Sequence, residues 1–272
     1  MPSETRTRKG SASTTRLIAL GGEKQSGKSA SANFIAGINL VRRGLIEEFK
    51  SNEDGSISVN GKTVHVNDIA PTRIKIYGFA DSLKHIVCDL FNLDKKLAFG
   101  SDQDKETVTH IRWEDMPGVM TNLRLFQSVK KFTERKESLL GKPYKDEGFS
   151  VCYHEPGFMT IRQILQYFGT EVCRKIYKDC WTTYLMRQIK ADAPEIAIIY
   201  DCRFDNEAQI VKDNGGLCVL LEKTGKGDSH ISERGFINFN EWDARIQNQE
   251  CEDVRCLNRL LYENLKGLHI FQ

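Results

Sequence analysis

No apolar run in this 272-residue chain approaches the roughly 20 residues that span a bilayer. Nor is there an apolar segment near its start of the kind that opens a secretory signal peptide. None of the eight cysteines (88, 152, 173, 180, 202, 218, 251 and 256) forms C-x-x-C, and no histidine pair has zinc-finger spacing. That speaks against a disulfide frame and a zinc site. The cysteines read as small apolar residues in a reducing cytosol. The net charge is only +2, so no overall field argues for nucleic acid or a membrane surface as partner. There is no internal repeat. Hydrophobic residues make up 40% of the chain, slightly low but enough for a core. The length suits one large α/β domain, or a core with a sizeable insertion.

What is present is more specific. Gly22-Glu23-Lys24-Gln25-Ser26-Gly27-Lys28-Ser29 fits G-x-x-x-x-G-K-[ST], a phosphate-binding loop. Before it, Leu17 to Leu20 is an apolar run suited to a buried strand. After it, Ala30, Phe34, Ile35, Ile38 and Val41 recur at helical spacing. Gly22 and Gly27 let the backbone wrap a phosphate with its N–H groups inward. The helix start adds unsatisfied N–H groups and the positive end of its dipole. In such a loop Lys28 reaches the terminal phosphates and the Ser29 hydroxyl holds Mg2+.

Residues 1–15 are rich in Ser, Thr, Lys and Arg and read as a disordered basic tail. Nucleic-acid contact by it is the alternative to a solvated terminus. Residues 56–66 read as a hairpin insertion turning at Asn60-Gly61. Arg73 to Tyr77 reads as a core strand, followed by a helix with Leu83, Ile86, Val87 and Leu90 on one face. Residues 95–157 are charged, carry Pro117 and Pro143 and have weak periodicity, which suits a mobile lid or insertion. Thr160 to Gln163 is a capping box opening a helix that Gly169 closes. Further helices are expected from Trp181 to Lys190, up to about Asn214, and from Glu252 to Leu265. Strands are expected at Glu195 to Tyr200, ending on Asp201, and at Leu217 to Leu221. The alternation predicts a parallel sheet covered by helices on both faces.

Asp201 ends an apolar strand, where an open parallel sheet binds its ligands. It could hold Mg2+ through water, bind a substrate hydroxyl or anchor Arg203. The run Asp201-Cys202-Arg203-Phe204-Asp205-Asn206-Glu207 suits bidentate phosphate binding by Arg203, or helix capping by Asp205 or Asn206. Arg162 and Gln166 share a helix face. With Gly169, Thr170, Arg174 and Trp181 they could form a nucleotide pocket, or a solvated face beside a core tryptophan. Lys84, Lys105, Arg112 and Arg124 are candidate cations for a transferring phosphoryl group, supplied by a closing lid.

Further short segments accompany these. They are Gly78-Phe79-Ala80-Asp81-Ser82-Leu83-Lys84, Phe99 to Lys105, Ile111 to Pro117, Arg162 to Glu171, Gly215-Gly216, His230 to Glu233 and Ile246-Gln247-Asn248. In this order, with the phosphate loop and the Asp201–Glu207 run, they resemble the bacteriophage deoxynucleoside monophosphate kinases of the T4-like type. The resemblance covers roughly residues 16–265; residues 1–15, 56–66 and 121–150 look like additions. Some phage members carry Asp-Thr after the loop lysine, where this chain has Ser29-Ala30.

The resemblance implies a P-loop NTPase-type α/β kinase domain over residues 16–272, with an inserted lid and a small hairpin. It implies transfer of the γ-phosphoryl of ATP, with Mg2+, to deoxynucleoside monophosphates. ATP would meet Gly22, Lys24, Ser26, Gly27, Lys28, Ser29, Ala30 and Asn248. The acceptor would meet Phe79, Ala80, Lys84, Arg162, Gln166, Gly169, Thr170, Arg174, Trp181, Arg203, Asn206 and Glu207. Catalysis would rest on Lys28, Arg203 and Asp201, with the metal on Ser29 and Asp201. A homodimer in the cytoplasm of an infected cell is also implied. One rival is a P-loop kinase for another phosphorylated small molecule, such as dephospho-coenzyme A. The other is a DNA-gripping ATPase, for which only the basic tail speaks.

Overall fold

The computed structural model describes residues 15–23, 25–70, 73–140 (backbone alone over 132–140), 152–223, 236, 238–248 and 251–271. The basic tail up to residue 14, Lys24 and the 230–233 signature lie outside the described residues. The chain divides into two compact units, Met1–Phe79 with Leu185–Gln272, and Ala80–Tyr184. The first unit begins with β1 (Arg16–Gly22), α1 (Lys28–Arg42), β2 (Lys50–Ser51), β3 (Ile57–Val59), β4 (Lys62–Val64), α2 (Val66–Ile69) and β5 (Ile74–Tyr77). The second holds α3 (Asp81–Phe91), α4 (Lys95–Phe99), α5 (Asp102–Lys105), β6 (Val108–Arg112), β7 (Val119–Met120) and α6 (Leu123–Leu140). It continues with β8 (Cys152–Tyr153), β9 (Phe158–Thr160), α7 (Ile161–Gln166) and α8 (Arg174–Ile176). Helix α9 (Cys180–Asp192) returns the chain to β10 (Ile196–Cys202), α10 (Asp205–Asp213), β11 (Leu217–Glu222), β12 (Ala244–Gln247) and α11 (Val254–Leu265).

The first unit is built on five parallel strands in the order β12-β11-β1-β10-β5. Its strands are apolar at successive positions because both faces are covered. Ile18, Leu20, Ile196 and Ile198 face a core shared with Ile35 and Leu40 of α1 and Leu257 and Leu261 of α11. Leu17, Ala19, Ala197 and Ile199 face the opposite core, with Leu185 and Ile189 of α9 and Ala208 and Val211 of α10. Each fully buried Ile or Leu contributes roughly 1.5–3 kcal/mol against the entropy of ordering the chain. This fold, a parallel α/β sheet of P-loop type, holds the carboxyl ends of β1, β10 and β5 side by side.

Beside this sheet, β3 and β4 pair antiparallel with Ile57 opposite Val64 and Val59 opposite Lys62. Asn60 (φ 51°) and Gly61 (φ 74°) both take the left-handed conformation that a two-residue hairpin turn requires. A third strand, β2, extends the hairpin, and Val66 opens a helical turn rather than ending a strand.

The second unit corrects two expectations. Gly169 does not close its helix. From α7 the chain runs through a π-helical segment, Tyr167–Cys173, into α8. Gly169 is glycine for a packing reason: a Cβ there would lie 2.5 Å from Leu83 Cδ2. The face expected on α3 is also only half right. Leu83, Val87 and Cys88 are buried, whereas Ile86 and Leu90 are exposed, because α3 is covered on one side only within its unit. The capping box at Thr160 and Gln163 is formed as expected. Residues 95–157, weakly periodic in sequence, contain α4, α5 and the 18-residue α6. Among the described residues, no helix is long and apolar enough to cross a membrane.

Candidate functional site

The turn from β1 into α1 is shaped by two glycines. Gly22 has φ +143°, and a Cβ there would lie 2.4 Å from the Leu221 carbonyl oxygen. Gly27 has φ +89°, and a Cβ there would lie 2.6 Å from Leu257 Cδ2. A side chain at either position meets both backbone strain and collision. Among the described residues no side chain caps α1 at Gly27, and its first turn holds no acid. The helix therefore presents N–H groups and a positive dipole end to an anion. Lys28 curls back over the loop, donating to the carbonyls of Gly22 at 2.8 Å and Glu23 at 2.5 Å. Its ammonium thus lies where phosphate oxygens could replace carbonyl oxygens as acceptors. Ser26 is fully buried, and Asn248 Nδ2 donates to its carbonyl at 2.7 Å. Asn248 in turn donates its backbone N–H to the Glu222 carbonyl, which ties the loop to the end of β11. Ser29 is exposed and Ala30 half-buried on the first turn of α1.

At the end of β10, Asp201 is 4% exposed, and its Oδ1 accepts a hydrogen bond from the Phe79 backbone N–H at 2.6 Å. Glu207 caps α10, accepting from the backbone N–H of Arg203 at 2.8 Å and of Phe204 at 3.2 Å. Capping by Asp205 or Asn206 is thereby corrected. Glu207 sits where a longer side chain folds back onto the helix start. Asp205 instead accepts from the backbone N–H groups of Asn238 and Phe239. Arg203 and Asn206 are half-buried in the same strand-to-helix turn. Burial pushes the Cys202 thiol well up, and the Cys218 thiol to about 12.

One feature beside the loop was missed in the sequence. Phe236, Phe239 and Trp242 form an edge-to-face cluster, with Trp242 4.5 Å from Phe236 and 4.9 Å from Phe239. A Cβ on Gly21 would lie 2.5 Å from Trp242. The rings stand in the sequence as an aromatic-rich stretch, but nothing there says that they close on a glycine two hundred residues earlier.

The second unit holds the remaining candidates. The Arg162 guanidinium is engaged by Glu106 and by Asp102, the latter at 2.7 Å. Burial works against its charge, but the bonds to Asp102 and Glu106 outweigh that and raise its pKa. Gln166 ends α7, Thr170 lies in the π-helical segment and Arg174 opens α8, all half-buried. Trp181 is 7% exposed, packed in the unit's own core, and donates its indole N–H to the Gly169 carbonyl at 3.2 Å. Ala80 precedes α3, and Lys84 one turn in pairs with Asp81 at 3.0 Å and lies over the Phe99 ring. Lys105 donates to the Gly100 carbonyl. Arg112 pairs with Glu114 and lies over the Phe158 ring. Hydrogen bonds from Arg112 and from the Gly157 N–H hold the Glu114 carboxyl down at about 2. Arg124 is exposed near the start of α6 and makes no ion pair among the described residues.

A hard divalent cation takes oxygen donors. The Ser29 hydroxyl and the Asp201 carboxylate are of that kind, so the donor set fits Mg2+. No group of three or more metal-ligating side chains occurs among the described residues.

Residues 16–255 match a family model described as deoxynucleotide monophosphate kinase. A protein of Acanthamoeba polyphaga mimivirus, provisionally named deoxynucleotide monophosphate kinase, is 22% identical over 248 residues, covering 86% of this chain and 89% of its own. The deoxynucleoside-5'-monophosphate kinase of Escherichia phage T5 is 34% identical over 61 residues, 22% of this chain and 24% of that one.

Proposed function

The chain belongs to the deoxynucleotide monophosphate kinase family, and we propose that it transfers the γ-phosphoryl of ATP to deoxynucleoside monophosphates, giving diphosphates. The family is one of kinases that act on nucleotides, which implies ATP and, as a rule, a divalent cation. The observation that carries the reading is the loop. Gly22 and Gly27 take geometry that favours glycine, and Lys28 lies across the loop at a helix start that no side chain caps among the described residues.

In phosphoryl transfer the protein's work is positioning and charge neutralisation. The N–H groups at the start of α1 and the Lys28 ammonium bind the donor phosphates. Asn248 fixes the loop by holding the Ser26 carbonyl. Ser29 and Asp201 would hold Mg2+, which when bound neutralises charge on the donor phosphates. Arg203 offers a planar two-pronged donor for a phosphoryl or phosphate group. Arg162, Gln166, Gly169, Thr170, Arg174, Trp181, Phe79, Ala80, Lys84, Asn206 and Glu207 are proposed to serve the acceptor by binding it or by shaping what does. Lys105, Arg112 and Arg124 are proposed as cations of a closing segment. We also propose that the enzyme works as a homodimer in the cytoplasm, which sedimentation and cell fractionation check.

A coupled ADP-release assay across deoxy- and ribonucleoside monophosphates, with dephospho-coenzyme A as control, tests the reading. ATP-dependent turnover of at least one deoxynucleoside monophosphate is expected. Lys28→Ala should fall below about a tenth of it, since a phosphate-clamping cation contributes several kcal/mol. Turnover of dephospho-coenzyme A alone would overturn the reading.

A further inference from the structure

A short turn outside the central sheet is seated on the helix that follows the phosphate loop. Residues Asn52 to Ser56 join β2 to β3. The turn is closed by backbone bonds from Asn52 N to Ser56 O at 2.9 Å and from Gly55 N to Asn52 O at 3.0 Å. Asp54 Oδ1 accepts from the Ser56 N–H at 2.9 Å and hydroxyl at 2.6 Å. The Asn52 side-chain amide donates to Ser56 Oγ and Ser58 Oγ. So many local bonds make the turn stiff.

Two helices pin it. Asn33 of α1 donates Nδ2 to the Gly55 carbonyl at 3.0 Å, and Asn258 of α11 donates to Ser51 Oγ at 2.9 Å. Behind the turn, Ile57 is 1% exposed, in the core that α1 also lines. Gly55 has φ +82°, and a Cβ there would lie 2.5 Å from the Cβ of Ala30 and 3.0 Å from its Cα. Ala30 directly follows Ser29. The buried residues of α1 begin at Ser31, and Ala30, partly buried, packs against the same core.

We propose that this turn is a brace for the phosphate loop: with Gly55 seated on Ala30, it sets the direction of the first turn of α1. It thereby orients the Ser29 hydroxyl and the amides that receive phosphate. Gly55 and Asn33 are positioning residues, not catalytic ones. The inference rests on the proposed use of Mg·ATP.

The test compares wild type, Gly55→Ala, Gly55→Ala/Ala30→Gly and Asn33→Ala. The readouts are Mg·ATP affinity by calorimetry, the Mg2+ dependence of turnover, KM for the preferred deoxynucleoside monophosphate and melting temperature. Gly55→Ala is expected to weaken Mg·ATP about ten- to a hundredfold and raise the Mg2+ requirement, leaving the acceptor KM within about twofold. Adding Ala30→Gly removes the methyl group that the new side chain strikes and should restore most of the Mg·ATP affinity. The left-handed backbone at position 55 stays strained in both variants, so the double variant's melting temperature should stay below wild type while its Mg·ATP affinity recovers. Wild-type Mg·ATP behaviour in Gly55→Ala, or a double variant no better than the single one, overturns the brace. Should Gly55→Ala fail to fold, Asn33→Ala decides. It removes one hydrogen bond and should weaken Mg·ATP in the same direction by less, whereas unchanged affinity overturns the proposal. Wild-type protein that binds no Mg·ATP overturns the kinase reading itself, a failure visible before any substitution.

Discussion

Asp201 accepts the backbone N–H of Phe79 through Oδ1 at 2.6 Å, joining the end of β10 to the chain that leaves β5. A carboxylate 4% exposed is thus committed to structure while standing where a sheet of this kind binds its ligands. Asparagine keeps an oxygen for Phe79 and gives up the charge. Asp201→Asn should therefore melt close to wild type but lose roughly a hundredfold in kcat, as expected for lost electrostatic support of phosphoryl transfer. Asp201→Ala also strands a buried N–H and should lose a further ~1–3 kcal/mol of stability in denaturant unfolding. Near-wild-type turnover by Asp201→Asn would make Asp201 a strand tether only.

Glu114 yields a pH prediction in the second unit. Its carboxyl is held at about 2 by the Arg112 guanidinium and the Gly157 N–H. The ordinary glutamate value is about 4.3. A depressed pKa means that the clasp contributes fully above about 4.3 and is lost as pH falls through about 2. A carboxyl-carbon NMR titration of Glu114 should therefore show a midpoint near 2, with the Gly157 amide shifting over the same range. In Glu114→Gln that amide should not titrate. A midpoint at the ordinary value would mean that the clasp does not persist in solution.

Trp181 lies at 7% exposure in the core of its unit with its indole N–H on the Gly169 carbonyl. Trp181→Phe keeps a ring and removes that bond. It should reduce stability by about 1 kcal/mol in chemical unfolding. The acceptor KM should move little, because a ring this covered is placed to pack. A large rise in KM without a loss of stability would show instead that the ring stacks on the base.

The first unit was largely legible because its signals are local. The apolar run at Leu17 to Leu20, the glycines at 22 and 27, and Asn60-Gly61 each demand one backbone geometry, and each has it. The second unit was less legible because tertiary packing overrides local cues there. Gly169 has the look of a helix stop, yet it lies inside a continuous helical segment, and its lack of a side chain makes room for Leu83. Ile86 and Leu90 fit the helical period of α3 but are exposed. The pairing of Arg162 with Asp102 and Glu106 spans about sixty residues of sequence, which no spacing rule reaches. The same holds for the seat of Gly55 on Ala30 and for the aromatic cluster against Gly21.

Arg203 follows Asp201 by two residues, and its backbone N–H donates to the Glu207 carboxylate, which holds its place in the turn. A conservative substitution tests the side chain while leaving that backbone bond available. Lysine preserves the charge but turns a planar fork into a point donor. If Arg203 holds the acceptor phosphate or the transferring phosphoryl group, Arg203→Lys should lose roughly a hundredfold in acceptor kcat/KM, about 3 kcal/mol of transition-state stabilisation. Mg·ATP affinity and melting temperature should change little, as expected of a side chain whose work is done on the acceptor. Steady-state kinetics with varied acceptor, alongside Mg·ATP calorimetry, separate the outcomes. Equal weakening of both nucleotides together with a lower melting temperature would make Arg203 a structural ion-pair partner. The acceptor phosphate would then have to be sought among Arg162, Gln166 and Arg174.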